Sequence, residues 1–248
     1  MNVMTAIETP SILGRREDGA DLALDVKALI GQHMLLQAAT GGGKSFALRK
    51  ILELALQAQV PVLVFDIEDE FGTLRNAFPE VAIVGGEDSD APLAVERIPE
   101  LALTALRNGT SVIVKVGATE DPGEAVGRWV EAIMAAPRNR WRPLLVALDE
   151  AQIFAPEGQR SESRKAIDAL LQRGRKRGYT AVLATQRFAS VAKSSLTQVS
   201  NVLAGRVASQ ADVKRAESEL RLDGTAAALL PTLSRGHFFA CGPALSPI

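Results

Sequence analysis

The chain has 248 residues, 47% hydrophobic and 23% charged, with 28 Lys+Arg against 29 Asp+Glu and a formal charge of −1. These proportions fit a soluble globular protein and exclude a disordered tail, a collagen-like fibre and a coiled-coil rod. Near-neutrality gives no global attraction to nucleic acid or an anionic membrane, so such binding must come from a local patch. Cys241 is the only cysteine, and His33 and His237 are the only histidines. That excludes a disulfide framework and a Cys-rich zinc site.

The opening MNVMTAIETP lacks the basic-then-apolar layout of a signal peptide, and no apolar run reaches 18 residues. The expectation is a cytoplasmic protein without a membrane span. Residues 1–30 read as a short lead-in. Strands are then predicted at 33–38, 61–66, 81–84, 111–116, 143–149, 179–185, 201–207 and 237–241. Several are continuously apolar, as for strands buried on both faces of a parallel sheet. Leu48, Ile51, Leu52 and Ala55 fall on one helical face, and so do Ile167, Leu170 and Leu171. This alternation predicts an α/β fold with a mainly parallel central sheet flanked by helices. No Gly-, Ser- or Pro-rich linker and no repeat interrupts it, so residues 1–248 read as one domain.

Between the first strand and the first strong helix lies Gln37-Ala-Ala-Thr-Gly-Gly-Gly-Lys-Ser45. Successive backbone N–H groups of Thr40, Gly41, Gly42, Gly43 and Lys44 can curl around a phosphate, and the glycines permit dihedrals that a Cβ forbids. The helix adds its positive end. Lys44 is the charge expected at the β/γ-phosphates of ATP, and Ser45 the expected Mg2+ ligand. The nucleotide-binding run is taken as Thr40 to Phe46. Ala38 occupies the first glycine position of the G-x4-G-K-[ST] pattern, a modest change where the chain leaves the strand.

The run 143–150, PLLVALDE, is a buried strand ending in Asp149 and Glu150. Beside a phosphate loop, such an Asp holds Mg2+ and the adjacent Glu polarises the attacking water. The second carboxylate favours hydrolysis over transfer to a bound acceptor. Gln186, ending the strand 179–185, can bond the γ-phosphate or the lytic water; a solvated strand-end amide is the bland alternative. Asp66 ends the second predicted strand, followed by Glu68, Asp69 and Glu70. These acids either orient water or Mg2+ or face solvent.

Residues 160–187 carry eight cations and two acids, with the run QRGRKRG at 172–178 expected where a helix ends, beside the proposed nucleotide site. An arginine there can reach a γ-phosphate across a subunit boundary. Other cations can contact a nucleic-acid backbone. The bland alternative is a solvated helix end favoured by the helix dipole.

These segments together resemble the HerA/FtsK superfamily of ATPases, HerA-like proteins most of all. The resemblance runs through HMLLQAATGGGKS (33–45), VFDIEDEF (64–71), LDEAQIFAP (148–156), GRKRG (174–178), ATQR (184–187), residues 202–212 and LSRGHFF (233–239). It implies a RecA-like P-loop NTPase core assembling as a hexameric ring, with ATP between subunits and double-stranded DNA in the pore. By matching positions, Lys44 and Ser45 bind phosphate and Mg2+, Asp149 coordinates Mg2+, and Glu150 is the catalytic base. Gln186 matches the sensor, Arg175 the arginine finger with Arg173 and Arg206 as substitutes, and Glu70 an acidic motif position. About 30 residues precede the first core strand, where full-length HerA helicases carry a β-barrel. A nuclease or other protein partner is also implied.

The leading expectation is therefore an ATP-hydrolysing, ring-forming DNA translocase. The alternatives are a small-molecule or nucleotide kinase, and an ATP-dependent switch or protein-translocating relative. A GTPase is disfavoured, because no N-K-x-D or T-K-x-D motif occurs.

Overall fold

The computed structural model describes residues 11–207, 209–220 and 224–247. The first ten residues of the expected lead-in lie outside these. The strands are β1 (Ile12–Arg15), β2 (Asp21–Leu24), β3 (Met34–Gln37), β4 (Val62–Asp66), β5 (Ala82–Val84), β6 (Val112–Lys115), β7 (Leu144–Leu148), β8 (Tyr179–Thr185), β9 (Asn201–Ala204), β10 (Phe239–Cys241) and β11 (Leu245–Pro247). The α-helices are α1 (Val26–Leu29), α2 (Lys44–Gln57), α3 (Ile98–Asn108), α4 (Pro122–Ala135), α5 (Ala151–Phe154), α6 (Glu162–Arg173), α7 (Lys193–Leu196), α8 (Gln210–Leu220) and α9 (Gly224–Leu229).

Eight strands form one sheet in the order β10-β9-β3-β8-β7-β4-β6-β5, parallel throughout except for β10, which runs antiparallel to β9. Each predicted strand is present, β8 with its predicted bounds and the others shortened at one or both ends. The α/β reading with a mainly parallel sheet flanked by helices therefore holds. The period of two along each strand divides the core between the two faces. Leu63 and Phe65 of β4, with Leu144, Val146 and Leu148 of β7, pack against α3, α4 and α6 on one face. Val62, Val64, Leu145 and Ala147 pack against α1 and α2 on the other. Both predicted helical faces are buried: Leu48, Ile51, Leu52 and Ala55 in α2, and Ile167, Leu170 and Leu171 in α6. Local chemistry sets the helix starts. Asp121 accepts from Glu124 N at 2.9 Å ahead of Pro122, and Ser161 accepts from Arg164 N at 3.1 Å.

A second, antiparallel sheet pairs β1 with β2 and β2 with β11. Sequence patterning gives no sign of it, because its strands are only three or four residues long. The described part of the lead-in is thus a hairpin, joined to the last described strand and followed by α1. No described helix is long and apolar enough to cross a membrane.

His33 knits the phosphate-loop strand to its neighbours. Ala181 N donates to Nδ1 at 3.0 Å, which leaves Nε2 to donate to Leu171 O at 2.8 Å. The ring is 3% exposed, and burial holds its pKa below the ordinary 6.5 despite the Leu171 contact. A depressed histidine contributes stability above its unfolded pKa, and that contribution is lost as pH falls below about 6.5. His33→Asn, which cannot titrate, should be about 1–3 kcal/mol less stable than the parent at pH 8. The gap should narrow at pH 5 in urea unfolding; a gap constant with pH would remove His33 as the titrating group.

Candidate active site

Parallel strands end on a shared rim, and there the chain gathers its polar residues. The loop after β3 hangs from the ends of β8 and β9. Ala38 N donates to Thr185 O (3.2 Å), Ala39 N to Arg206 O (2.7 Å) and Gly205 N to Gln37 O (2.7 Å). Ala38 is fully buried and needs no left-handed backbone, so a methyl group suits that position. The need for glycine falls further on. Gly43 precedes α2 at φ 102°, and a Cβ there would lie 3.3 Å from the backbone of Gly236. With no side-chain cap, the first N–H groups of α2 are left available to an anion.

Lys44 and Asp149 form a close ion pair, and Lys44 Nζ lies 2.9 Å from Glu150 Oε1. All three are buried, at 7%, 0% and 4% exposure. Burial alone would lower the Lys44 pKa, but the two carboxylates outweigh it and hold the ammonium charged. Burial pushes Asp149 up, against the pull of Lys44. Glu150 ends below its ordinary value, because hydrogen bonds from Gln152, Lys44 and Gln186 overcome its desolvation.

The Glu150 backbone is left-handed (φ 51°, ψ 50°), which costs a non-glycine residue about 1–2 kcal/mol. A hydrogen-bonded chain holds the carboxylate in place. Gln186 Nε2 donates to Oε1 and Gln152 Nε2 to Oε2, each at 2.6 Å. The Thr40 hydroxyl donates to Gln186 Oε1, and the Thr185 hydroxyl to Gln152 Oε1, again at 2.6 Å. The relay Thr40–Gln186–Glu150–Gln152–Thr185 thus links the phosphate loop to the end of β8 through the acid. Sequence reasoning missed Gln152 and Thr185. The only available signal was their position beside Glu150 and Gln186.

The structure brings Thr40, Gly41, Gly42, Gly43, Lys44, Asp149, Glu150 and Gln186 together, with Ser45 following Lys44 into α2. Phe46 stands 77% exposed on α2. Asp66 is 1% exposed and accepts from Glu70 N (3.1 Å) and Phe71 N (2.9 Å), so it anchors the turn after β4. Asp69 pairs with Lys115 at 2.8 Å, while Glu68 and Glu70 are exposed. Arg206 reaches Thr40 O of its own chain at 3.3 Å. Gly236 N donates to Gly42 O at 2.9 Å, so the segment 233–239 lies across the phosphate loop.

One expectation needs correction: the run 172–178 does not lie beside this site. It precedes β8, on the rim where the parallel strands begin, whereas Gln186 follows β8 on the opposite rim. Seven residues of strand separate the rims by about 20 Å. Chain connectivity is the reason, since a helix crossing between parallel strands must return the chain to the starting rim. Neither Arg175 nor Arg173 therefore reaches Lys44 of its own chain.

The residues fit Mg2+. One ammonium against two carboxylates leaves the buried cluster one negative charge in excess. Asp149 Oδ2 is buried without a hydrogen-bond partner among the described residues. No group of three or more His, Cys, Asp or Glu side chains there could hold a metal by itself. A hard cation held by the Ser45 hydroxyl and the Asp149 carboxylate, with phosphate and water oxygens completing its shell, agrees with both facts.

The fold is that of the RecA-like P-loop NTPases. Residues 12–111 match the family model described as the central domain of helicase HerA. No curated protein sequence matches the chain. Among solved structures, the genome packaging NTPase B204 of Sulfolobus turreted icosahedral virus 2, bound to ATP-γS, superposes with a TM-score of 0.63 at 15% identity. The match covers 85% of this chain and 91% of that one. VirB4 of Thermoanaerobacter pseudethanolicus gives 0.67 at 12% identity over 98% and 96% of the two chains. The bacterial conjugative coupling protein TrwBΔN70 gives 0.62 at 12% identity over 99% and 89%. The family match and the shared fold bear out the resemblance to HerA/FtsK-type P-loop ATPases.

The buried cluster makes a stability prediction. Lys44→Met leaves two buried carboxylates without their cation and should cost about 3 kcal/mol in nucleotide-free urea unfolding. Lys44→Met combined with Asp149→Asn should recover much of that loss. Equal stability of the single and double variants would show that the ion pair does not carry it.

Proposed function

We propose that this chain hydrolyses ATP and uses the hydrolysis to move double-stranded DNA through an oligomeric ring, each subunit contributing one RecA-like domain. The observation that carries the reading is the relay through Glu150. A water-activating carboxylate is bonded to a strand-end Gln, and that Gln is bonded in turn to the phosphate loop. Removal of the Thr40 contact on phosphate binding would free Gln186 to face the γ-phosphate. Glu150 then takes a proton from the attacking water as the phosphorus–oxygen bond breaks, and Lys44 steadies the charge on the leaving oxygens. Bound Mg2+, held by Ser45 and Asp149, would offset phosphate charge. The Thr40–Phe46 turn presents the backbone N–H groups that hold the phosphates.

Two further observations support a motor. Neighbours of this fold package a viral genome or act as conjugative coupling proteins. Arg175 lies ahead of β8, on the rim opposite its own Lys44, so in this reading its finger role falls to the nucleotide of an adjacent subunit. The Asp149–Glu150 pair favours hydrolysis over the kinase alternative.

Glu150→Gln tests this directly. ATP binding should persist while turnover falls by about 100-fold or more. Undiminished turnover would remove Glu150 from the base role. Arg175→Ala should also slow hydrolysis, and mixing it with Glu150→Gln subunits should restore some activity at mixed interfaces. Two inactive proteins that stay inactive when mixed would exclude a finger acting in trans.

A further inference from the structure

The starting rim of the central sheet, opposite the ATP site, is densely cationic. Three segments that enter neighbouring strands bring the charges together. Arg107 closes α3 ahead of β6. Arg138, Arg140 and Arg142 precede β7. Arg173, Arg175, Lys176 and Arg177 precede β8. No Asp or Glu occurs within 101–111, 132–148 or 169–179. The acids that flank these segments are Glu100, Glu131 and Asp168, further back on α3, α4 and α6, while Asp25 caps α1 by accepting from Ala28 N and Glu80 lies ahead of β5.

Several cations elsewhere in the fold are ion-paired, although Lys50, Arg160 and Arg187 have no carboxylate partner among the described residues. Arg15, Arg16, Arg49, Arg75, Arg97, Lys115 and Arg128 each lie within 4 Å of a carboxylate. None of the eight rim cations has a carboxylate partner among the described residues. Arg177 instead donates to Met134 O at 3.1 Å and lies over the Trp141 ring at 4.8 Å, with Arg138 5.9 Å from the same ring. The aromatic ring thereby fixes two guanidinium groups on the rim.

Helix dipoles do not account for so much charge. α3, α4 and α6 all end on this rim, and each C-terminus carries about −0.5 charge. Three such ends offset fewer than two of the eight cations. The excess has the dimensions of a duplex contact. From β8 to β6 the sheet crosses three strand spacings, about 15 Å. Duplex DNA carries one negative charge per about 1.7 Å of axis, or about nine charges over that length. One nucleotide triphosphate is far too compact to meet cations spread so widely.

We infer that this rim, apart from Arg175, which the reading above gives to an adjacent subunit's nucleotide, is the surface on which the protein grips the phosphate backbone of double-stranded DNA. The inference rests on the DNA-motor reading above and adds where the polymer is held. Phosphate contacts of this kind read charge and not sequence. β8 runs from this rim to Gln186, so one rigid strand joins the grip to the γ-phosphate sensor.

The test uses the whole chain and a 30-bp duplex, titrated at several salt concentrations. The variant replaces Arg107, Arg140 and Lys176 with serine, all exposed and with no side-chain hydrogen bond among the described residues. It should weaken DNA binding at least tenfold and lower the slope of log affinity against log salt by about 2 to 3. A control replacing Arg15, Arg97 and Arg128, which are exposed and paired, should keep the parent slope. ATPase activity without DNA should match the parent in both. If the parent binds DNA and the rim variant binds with the same affinity and slope, the inference fails while the DNA-motor reading stands. If the parent binds no DNA, both fail. If the rim variant keeps its DNA slope but loses DNA-free ATPase activity, the rim serves a neighbour's nucleotide and the inference is overturned.

Discussion

The arrangement depends on one constraint of parallel sheets. Each strand must be entered from the rim where its neighbour began, so the chain divides its residues between a starting rim and an ending rim. Everything that follows a strand gathers on the ending rim: the phosphate loop after β3, Asp149 and Glu150 after β7, Gln186 after β8 and Arg206 after β9. Everything that precedes a strand gathers on the starting rim. Two chemistries about 20 Å apart follow from connectivity alone.

On the ending rim the controlling feature is a charge imbalance held away from water. Lys44 serves two buried carboxylates, and neither is satisfied by that ammonium alone. Glu150 is also held by two amides and sits in a left-handed backbone that a side chain rarely adopts. The excess negative charge and the unpartnered Asp149 oxygen are features that a phosphate drawing on Lys44 and a divalent cation would complement. Site electrostatics and site geometry thus meet in the same three side chains.

Much of this was legible in the sequence. The eight central strands were readable because strands buried on both faces are apolar throughout, and that pattern survives without knowledge of the partners. Lys44, Ser45, Asp149, Glu150 and Gln186 were readable because each sits at a strand end or loop position fixed by local spacing. Gln152 and Thr185 were not, because their roles arise only when α5 is laid beside β8. The hairpin β1–β2 was invisible, since its partner β11 lies more than 220 residues away in the chain. The basic run 172–178 was legible as charge but misplaced, because composition carries no information about which rim a loop occupies. Arg107 and the 138–142 turn join it only in three dimensions.

The far end of the chain also helps to build the nucleotide site. Gly236 bonds to the phosphate loop, and β11 closes the small sheet on β2. Contacts of such long range form late, because their loop-closure entropy must be met before they contribute. A ribosome making this chain from its first residue would release the phosphate loop long before the segment that packs across it. During synthesis the central sheet can assemble around β3, β4, β7 and β8 while its ATP pocket is unfinished. A bound nucleotide would add its full binding energy to the fold only after residues 233–239 are in place, so the growing chain relies on its apolar core until then.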